Sequence, residues 1–177
     1  NNFMSDKKLE GAGLRGQVAG KTSLSTVGKA GKGLTYRGYP IEVLSEKAKF
    51  EEVAYLLMYG SLPNKDEYEN YSSKLISMRS LPNPILEVLE RIPASAHPMD
   101  VMRTGCSMLG NIEPEGEFSN QQESADRILA TMASIIVYWY KYSHFGKKVN
   151  TSSDYETIGG HFLSLLHGYE PSEDHIR

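Results

Sequence analysis

The sequence predicts an all-α fold preceded by one small β-hairpin. Three observations carry this prediction. Apolar residues recur at helical spacing along most of the chain, β-prone runs are confined to a glycine-rich opening, and no alternation of strand and helix follows that would build a parallel sheet. No internal repeat or low-complexity tract interrupts the pattern.

The hairpin is read from TSLSTV, Thr22 to Val27, and GLTYRG, Gly33 to Gly38, separated by the turn-forming GKAGKG. FEEVAYLLMYG predicts the first helix, with Phe50, Val53, Ala54, Leu57 and Met58 on one face and Gly60 placed to end it in a left-handed cap. Asn64 and Glu67 have capping-box spacing ahead of Tyr68, Tyr71, Leu75 and Met78, so a second helix is expected to run to about Arg79. NPILEVLERIP reads as a shorter one. HPMDVMRTGCSMLG, His97 to Gly110, has proline in its first turn and Asp100 near the helix N-terminus. Its mixture of Met, Val, Gly, Cys, Ser and Leu on nearly all sides predicts a helix packed all round. GNIEPEGEFSN is a loop by its glycines, proline and charges; ESADRILATMASIIVYWYKYSH is a long helix with Ser119 or Ser124 as its cap; IGGHFLSLLHG is the last helix.

With 177 residues, 40% hydrophobic and 23% charged, the chain can bury one ordinary core, as one domain or as part of a larger one. The 19 basic and 22 acidic residues leave a net charge of -3, and no dense basic run could track phosphates, which argues against nucleic acid as a partner. Cys106 is the single cysteine and lies in an apolar segment, so it is expected in the core of a protein kept in a reducing, cytoplasmic compartment. No apolar run approaches the ~20 residues of a membrane span, and no signal-peptide pattern opens the chain, so no membrane partner is expected. NNF before Met4 reads as a cloning remnant, residues 1–13 as a tail, and residues 14–177 as the folded region.

Motifs that would carry chemistry fail on spacing. GQVAGKT, Gly16 to Thr22, resembles a phosphate loop, but Arg15 stands where the glycine should be and no buried strand precedes it. The histidines, His97, His144, His161, His167 and His175, include no pair one helical turn apart with a nearby acid, so no metal site is expected. His161 and His167 read as polar residues near helix ends rather than a catalytic pair, and Cys106 lacks the adjacent cations that would activate a thiol. The carboxylates of EEV, DEYE and EPEGE follow exposed-face or loop patterns.

A longer match is more informative. LTYRGYPIEVL, FEEVAYLLMYGSLPN and LPNPILEVLERIPASAHPMDVMRTGCSMLG are similar, in wording and order, to the citrate synthase family. TSLSTVGKAGKGLTYRGY, HPMDVMRTGCSMLGNIEPE, YWYKYSHFGKK and IGGHFLSLLHGYEPSE resemble most the branch that uses propionyl-CoA. The resemblance covers nearly all of the chain from Leu14. It implies a multi-helical large domain, a small domain that closes on it, and a tight homodimer.

The activity implied is condensation of an acyl-CoA with oxaloacetate, followed by thioester hydrolysis, with no metal and no cofactor beyond the coenzyme A thioester substrate. Propionyl-CoA is the expected donor. Citrate synthesis from acetyl-CoA is one alternative, and a non-catalytic helical dimerisation module is another. Such a condensation requires a carboxylate base, a donor to the enol and a donor to the ketone. The family draws these from two histidines and one aspartate, in segments that do not occur here. LLHGYEP begins like one of them, but Tyr169, Glu170 and Pro171 depart from its continuation. No catalytic residue is therefore expected in this chain, which reads as the N-terminal part of the large domain, with the catalytic segments and small domain beyond residue 177. Arg15, Arg37, Lys74, Arg79 and Arg103 are the candidates to hold substrate anions. Lys74, in YSSKL, is the one the resemblance favours for substrate contact, whereas Arg37 is expected to brace its turn. His97, Asp100 and Arg103 are expected to be structural, the last two pairing along one helix face.

Overall fold

The computed structural model describes residues 18, 20–28, 33–169, 172 and 174. Strands β1 (Ser25–Val27), β2 (Leu34–Tyr36) and β3 (Tyr39–Pro40) form an antiparallel sheet in the order β1-β2-β3. Ser25 pairs with Tyr36 and Val27 with Leu34, so the expected hairpin is present, while the third strand went unforeseen because it is only a dipeptide. The β2–β3 turn uses Arg37 at φ 48° and Gly38 at φ 92°, both in the left-handed region. Residues 29–32 of the hairpin turn, like residues 16, 17 and 19 of GQVAGKT, lie outside the described residues.

Seven helices follow among the described residues: α1 (Ile41–Lys47), α2 (Phe50–Tyr59), α3 (Lys65–Met78), α4 (Asn83–Glu90), α5 (Pro98–Ile112), α6 (Gln121–Phe145) and α7 (Ile158–His167). The foreseen boundaries hold where local chemistry sets them. Gly60 ends α2 at φ 98°. In the capping box of α3, Glu67 N–H donates to Asn64 Oδ1 at 3.0 Å, while Asn64 N–H donates to Glu67 Oε2 at 2.8 Å. His97 caps α5, its Nδ1 accepting from Met99 N–H at 3.1 Å, and Pro98 occupies the first turn.

Three expectations are corrected. Neither Ser119 nor Ser124 caps α6: a 3-10 turn, Phe118–Asn120, leads into it, and Asn120 stands at the cap with its side chain donating to the Glu115 carbonyl at 3.2 Å rather than capping the helix. On α2 the buried residues are Glu51 and Leu56, and Phe50 is exposed, because the hydrophobic spacing could not show which flank meets α3. On α5 only Val101, Gly105 and Leu109 are buried, one stripe at four-residue spacing, and Met99 is 68% exposed. That helix buries one face, not all of them.

Helix α6 is the axis of the structure, with α3, α4, α5 and α7 all packed against it. One core cluster gathers Leu81, Ile85, Leu89, Val101, Leu109, Ile135, Tyr138 and Trp139; a second joins Tyr71, Leu75 and Met78 of α3 to Ala130 of α6. Gly105 lets α5 approach α6 closely, since a Cβ there would lie 2.7 Å from Ile135 Cγ2. The removal of this apolar surface from water is the main stabilising term.

Candidate functional site

Polar chemistry is concentrated at two buried centres along α6. The first surrounds Asp126, whose side chain is fully buried. It lies on the same helix stripe as Ala130, Ala133 and Val137, where a carboxylate would be costly without partners. Three donors supply them. Tyr71 hydroxyl donates to Asp126 Oδ1 at 2.9 Å, Tyr59 hydroxyl donates to Oδ2, and Lys74 Nζ donates to Oδ2 at 2.8 Å. Lys74 also pairs with Glu123 Oε2 at 2.6 Å. α2, α3 and α6 are thus tied at one carboxylate.

The electrostatics follow from that geometry. Burial disfavours the charged form of Lys74, but hydrogen bonds to Asp126 and Glu123 outweigh it and hold the ammonium pKa above the ordinary lysine value. Burial, reinforced by the bond to Asp126, pushes Tyr59 up to about 12 and Tyr71 higher still. All three remain protonated donors at neutral pH. Lys74, the residue favoured for substrate contact, has its ammonium engaged by two carboxylates.

The second centre joins Arg79, Ser134, Ser153 and His161, and three of these are almost wholly buried: Arg79, Ser134 and His161. Ser134 Oγ lies 2.9 Å from His161 Nε2, and Ser153 Oγ lies 2.7 Å from Nδ1. Ser134 Oγ is also 2.6 Å from the Arg79 carbonyl oxygen. The Arg79 guanidinium donates from Nη1 to Tyr155 O at 2.6 Å and to Ser153 O and Oγ, both at 3.2 Å. One arginine therefore gathers the 153–155 segment that leads into α7. Burial, with the Arg79 charge adding to it, lowers His161 to about 4, and burial lowers Arg79 despite the favourable charges of Glu51 and Asp154. His161 is a neutral ring held from both sides and closed to solvent.

The other candidates are dispersed. Arg37 donates to Ser23 Oγ at 2.8 Å and to the Leu57 carbonyl at 3.0 Å, bracing the β2–β3 turn against the last turn of α2. Arg103 pairs with Asp100 at 3.1 Å on the exposed side of α5. Arg15 lies outside the described residues. Cys106 is half-buried rather than in the core, with burial raising its thiol pKa. His144 sits among Trp139, Tyr140 and Phe145 at the end of α6, and His167 stacks on Tyr169 at the end of α7. Among the described residues, no group of three His, Cys, Asp or Glu side chains is placed to share a metal ion.

Sequence reasoning missed Asp126 and the Arg79–His161 centre. For Asp126 a signal existed, an acid in register with the apolar stripe of a long helix. The Arg79–His161 centre left none, because its members come from four separate places in the chain.

The family model described as "Citrate synthase, C-terminal domain" matches residues 13–177. A 2-methylcitrate synthase of Shewanella oneidensis is 61% identical over 98% of this chain, and 2-methylcitrate synthase 1 of Corynebacterium glutamicum is 31% identical over 93%. Citrate synthase from Thermotoga maritima superposes with a TM-score of 0.77 at 29% identity, covering 93% of this chain. The Thermoplasma acidophilum enzyme, solved as a ternary complex with carboxymethyl coenzyme A and oxaloacetate, shares the fold with a TM-score of 0.82 at 19% identity. The chain spans about half the length of these proteins, 47% of the Shewanella relative and 43% of the Thermotoga structure. Sequence match and helical architecture agree along the same residues, and the chain belongs to the citrate synthase family.

Proposed function

We propose that this chain is the N-terminal part of the large domain of a 2-methylcitrate synthase, which condenses propionyl-CoA with oxaloacetate and water to give 2-methylcitrate and coenzyme A. The observation that carries the reading is the 61% identity to the Shewanella oneidensis 2-methylcitrate synthase over 98% of the chain. The enzyme is an acyltransferase acting as a cytoplasmic homodimer, with the coenzyme A thioester as substrate and no separate cofactor.

The part played by these residues is mechanical. A carbon–carbon condensation needs its base and donors held in fixed positions while charge moves from the thioester enol to the ketone oxygen. The base and both donors belong to the remainder of the polypeptide. Asp126 with its three donors, and Arg79 with His161, hold α2, α3, α6 and α7 together as the frame beneath them. Lys74 is an anchor in this frame: its two carboxylate partners support that role over direct binding of substrate.

The test is a comparison of kcat/KM for propionyl-CoA and acetyl-CoA, using the full-length polypeptide and following coenzyme A release with oxaloacetate. A higher value with propionyl-CoA is expected. A one-methylene difference in an apolar pocket is worth ~1 to 3 kcal/mol, so the preference should lie between about tenfold and two-hundredfold. A preference for acetyl-CoA would move the assignment to citrate synthase proper.

A further inference from the structure

In the Arg79–His161 centre the hydrogen atoms can be placed by elimination. Ser134 Oγ lies 2.6 Å from the Arg79 carbonyl oxygen. Two oxygens do not approach that closely with lone pairs facing each other, so the single hydroxyl hydrogen of Ser134 points at this carbonyl. The other acceptor within its reach, the Thr151 oxygen at 3.4 Å, is a carbonyl as well. Towards His161 Nε2, 2.9 Å away, Ser134 presents only a lone pair. Nε2 therefore carries the hydrogen of the ring.

A neutral imidazole has one N–H, so Nδ1 is bare and accepts. Its neighbour at 2.7 Å is Ser153 Oγ, whose hydrogen goes to Nδ1. Ser153 Oγ in turn accepts from Arg79 Nη1 at 3.2 Å. The donations all run one way: Arg79 guanidinium to Ser153, Ser153 to His161, His161 to Ser134, and Ser134 to the Arg79 carbonyl. The circuit closes on the residue where it began. It joins the end of α3, the segment before α7, α7 and α6, and bonds aligned head to tail strengthen one another.

Such a circuit has no place for a second proton on His161. A protonated Nδ1 would change from acceptor to donor and aim its hydrogen at that of Ser153. The charged groups around the ring are Arg79 from the end of α3, Glu51 from α2 and Asp154 from the segment before α7, while α6 contributes the Ser134 hydroxyl. Glu51 and Asp154 favour the charge on Arg79, and Arg79 is the charge that acts on His161, where it repels a proton. Of the two hydroxyls, Ser134 is fixed in the middle of α6, whereas Ser153 lies in an irregular segment and is the side free to move.

We propose that Arg79, Ser153, His161 and Ser134 form a one-way hydrogen-bond ring, with His161 held as its Nε2–H tautomer, which latches α7 to α3 and α6 and opens at Ser153 when acid protonates Nδ1.

The experiment uses the full-length polypeptide with 15N-labelled histidine, because a ring nitrogen that carries hydrogen is distinguished by NMR from one that does not. The His161 pair is identified by its loss in His161→Gln, and neutron diffraction of the deuterated protein locates the same hydrogens without any substitution. A hydrogen on Nε2 and none on Nδ1 at neutral pH is expected; the opposite tautomer, or a mixture, overturns the proposal. Two variants then test the direction of donation. Ser153→Ala removes a donor that serves the neutral ring and should raise the pH at which His161 titrates, whereas Ser134→Ala removes an acceptor that serves the charged ring better and should lower it. Shifts of the reverse signs sink the assignment. Opening is read by hydrogen exchange at Ile158, Gly160 and His161, whose N–H groups are bonded at the start of α7. Their protection should fall roughly tenfold per pH unit as the pH drops from 6.5 towards 4, stay flat in His161→Gln, and lie below that of α6 throughout. An equal fall in His161→Gln, or protection matching that of α6 at every pH, means that no separate latch opens.

Discussion

His161 shows how a residue type associated with proton transfer can be made inert. Two hydroxyls hold its ring nitrogens, and burial beside Arg79 lowers its pKa to about 4 from an ordinary 6.5. The unfolded chain therefore binds the proton at a higher pH than the folded one. Stability from this site is full above about pH 6.5, falls as the pH drops towards 4, and changes no further below that, for a total of up to about 3 kcal/mol. Unfolding free energies measured across this window should show the loss, and His161→Gln should flatten the profile. A parallel slope in the variant would assign the titration to another group. Lys74 makes the complementary case. Replacing it by methionine removes the only cation bonded to buried Asp126 among the described residues while leaving the two phenols, so the full-length polypeptide should lose about 2 kcal/mol, or some 2 to 3 °C in Tm. If Lys74→Met instead left Tm unchanged and raised the KM for oxaloacetate, the lysine would be a substrate contact rather than an anchor.

Among the helices, the tightest constraint is the crossing of α5 on α6. Gly105 faces Ile135, which is fully buried and hemmed in by Val101, Leu109 and Tyr138 of the same cluster. Alanine would gain roughly 1 kcal/mol of helix propensity, but its methyl group would meet Ile135 at 2.7 Å, where overpacking costs about 1 to 3 kcal/mol. Gly105→Ala is expected to lower stability by about 1 kcal/mol in denaturant titration, and pairing it with Ile135→Val should recover part of the loss. A stabilised Gly105→Ala protein would mean that α5 and α6 do not pack at this distance. Helix termini were the most legible feature of the chain, because Asn64 with Glu67, Gly60 and His97–Pro98 act on backbone groups within a few residues of themselves. Helix faces were less so. Spacing identified α2 as amphipathic, yet Glu51 went inward and Phe50 outward, since its surroundings include a helix more than a hundred residues later.

The molecule as a whole presents apolar surface that its own core does not use. Met99, Met132 and Phe50 line a groove between α2, α5, α6 and α7, and Ile128 and Phe145 are exposed elsewhere on α6. Expressed alone, the 177-residue chain should release no coenzyme A from propionyl-CoA and oxaloacetate above background, and it should self-associate. Light scattering alongside the activity assay checks both parts. Turnover would place the chemistry within these residues, and a monodisperse monomer that unfolds cooperatively would favour a self-sufficient helical module. Residues and spacing alone were enough to read the all-α class, the hairpin, the termini set by Gly60, Asn64 with Glu67 and His97–Pro98, and the resemblance to the citrate synthase family, because each of these is written in short-range chemistry or in contiguous wording. The burial of Asp126 under Tyr59, Tyr71 and Lys74, the enclosure of His161 by Arg79 and two serines, and the one-sided packing of α5 were settled by tertiary structure. Each depends on side chains separated by tens of residues, whose meeting is governed by how the helices fill space around α6 and not by any local preference.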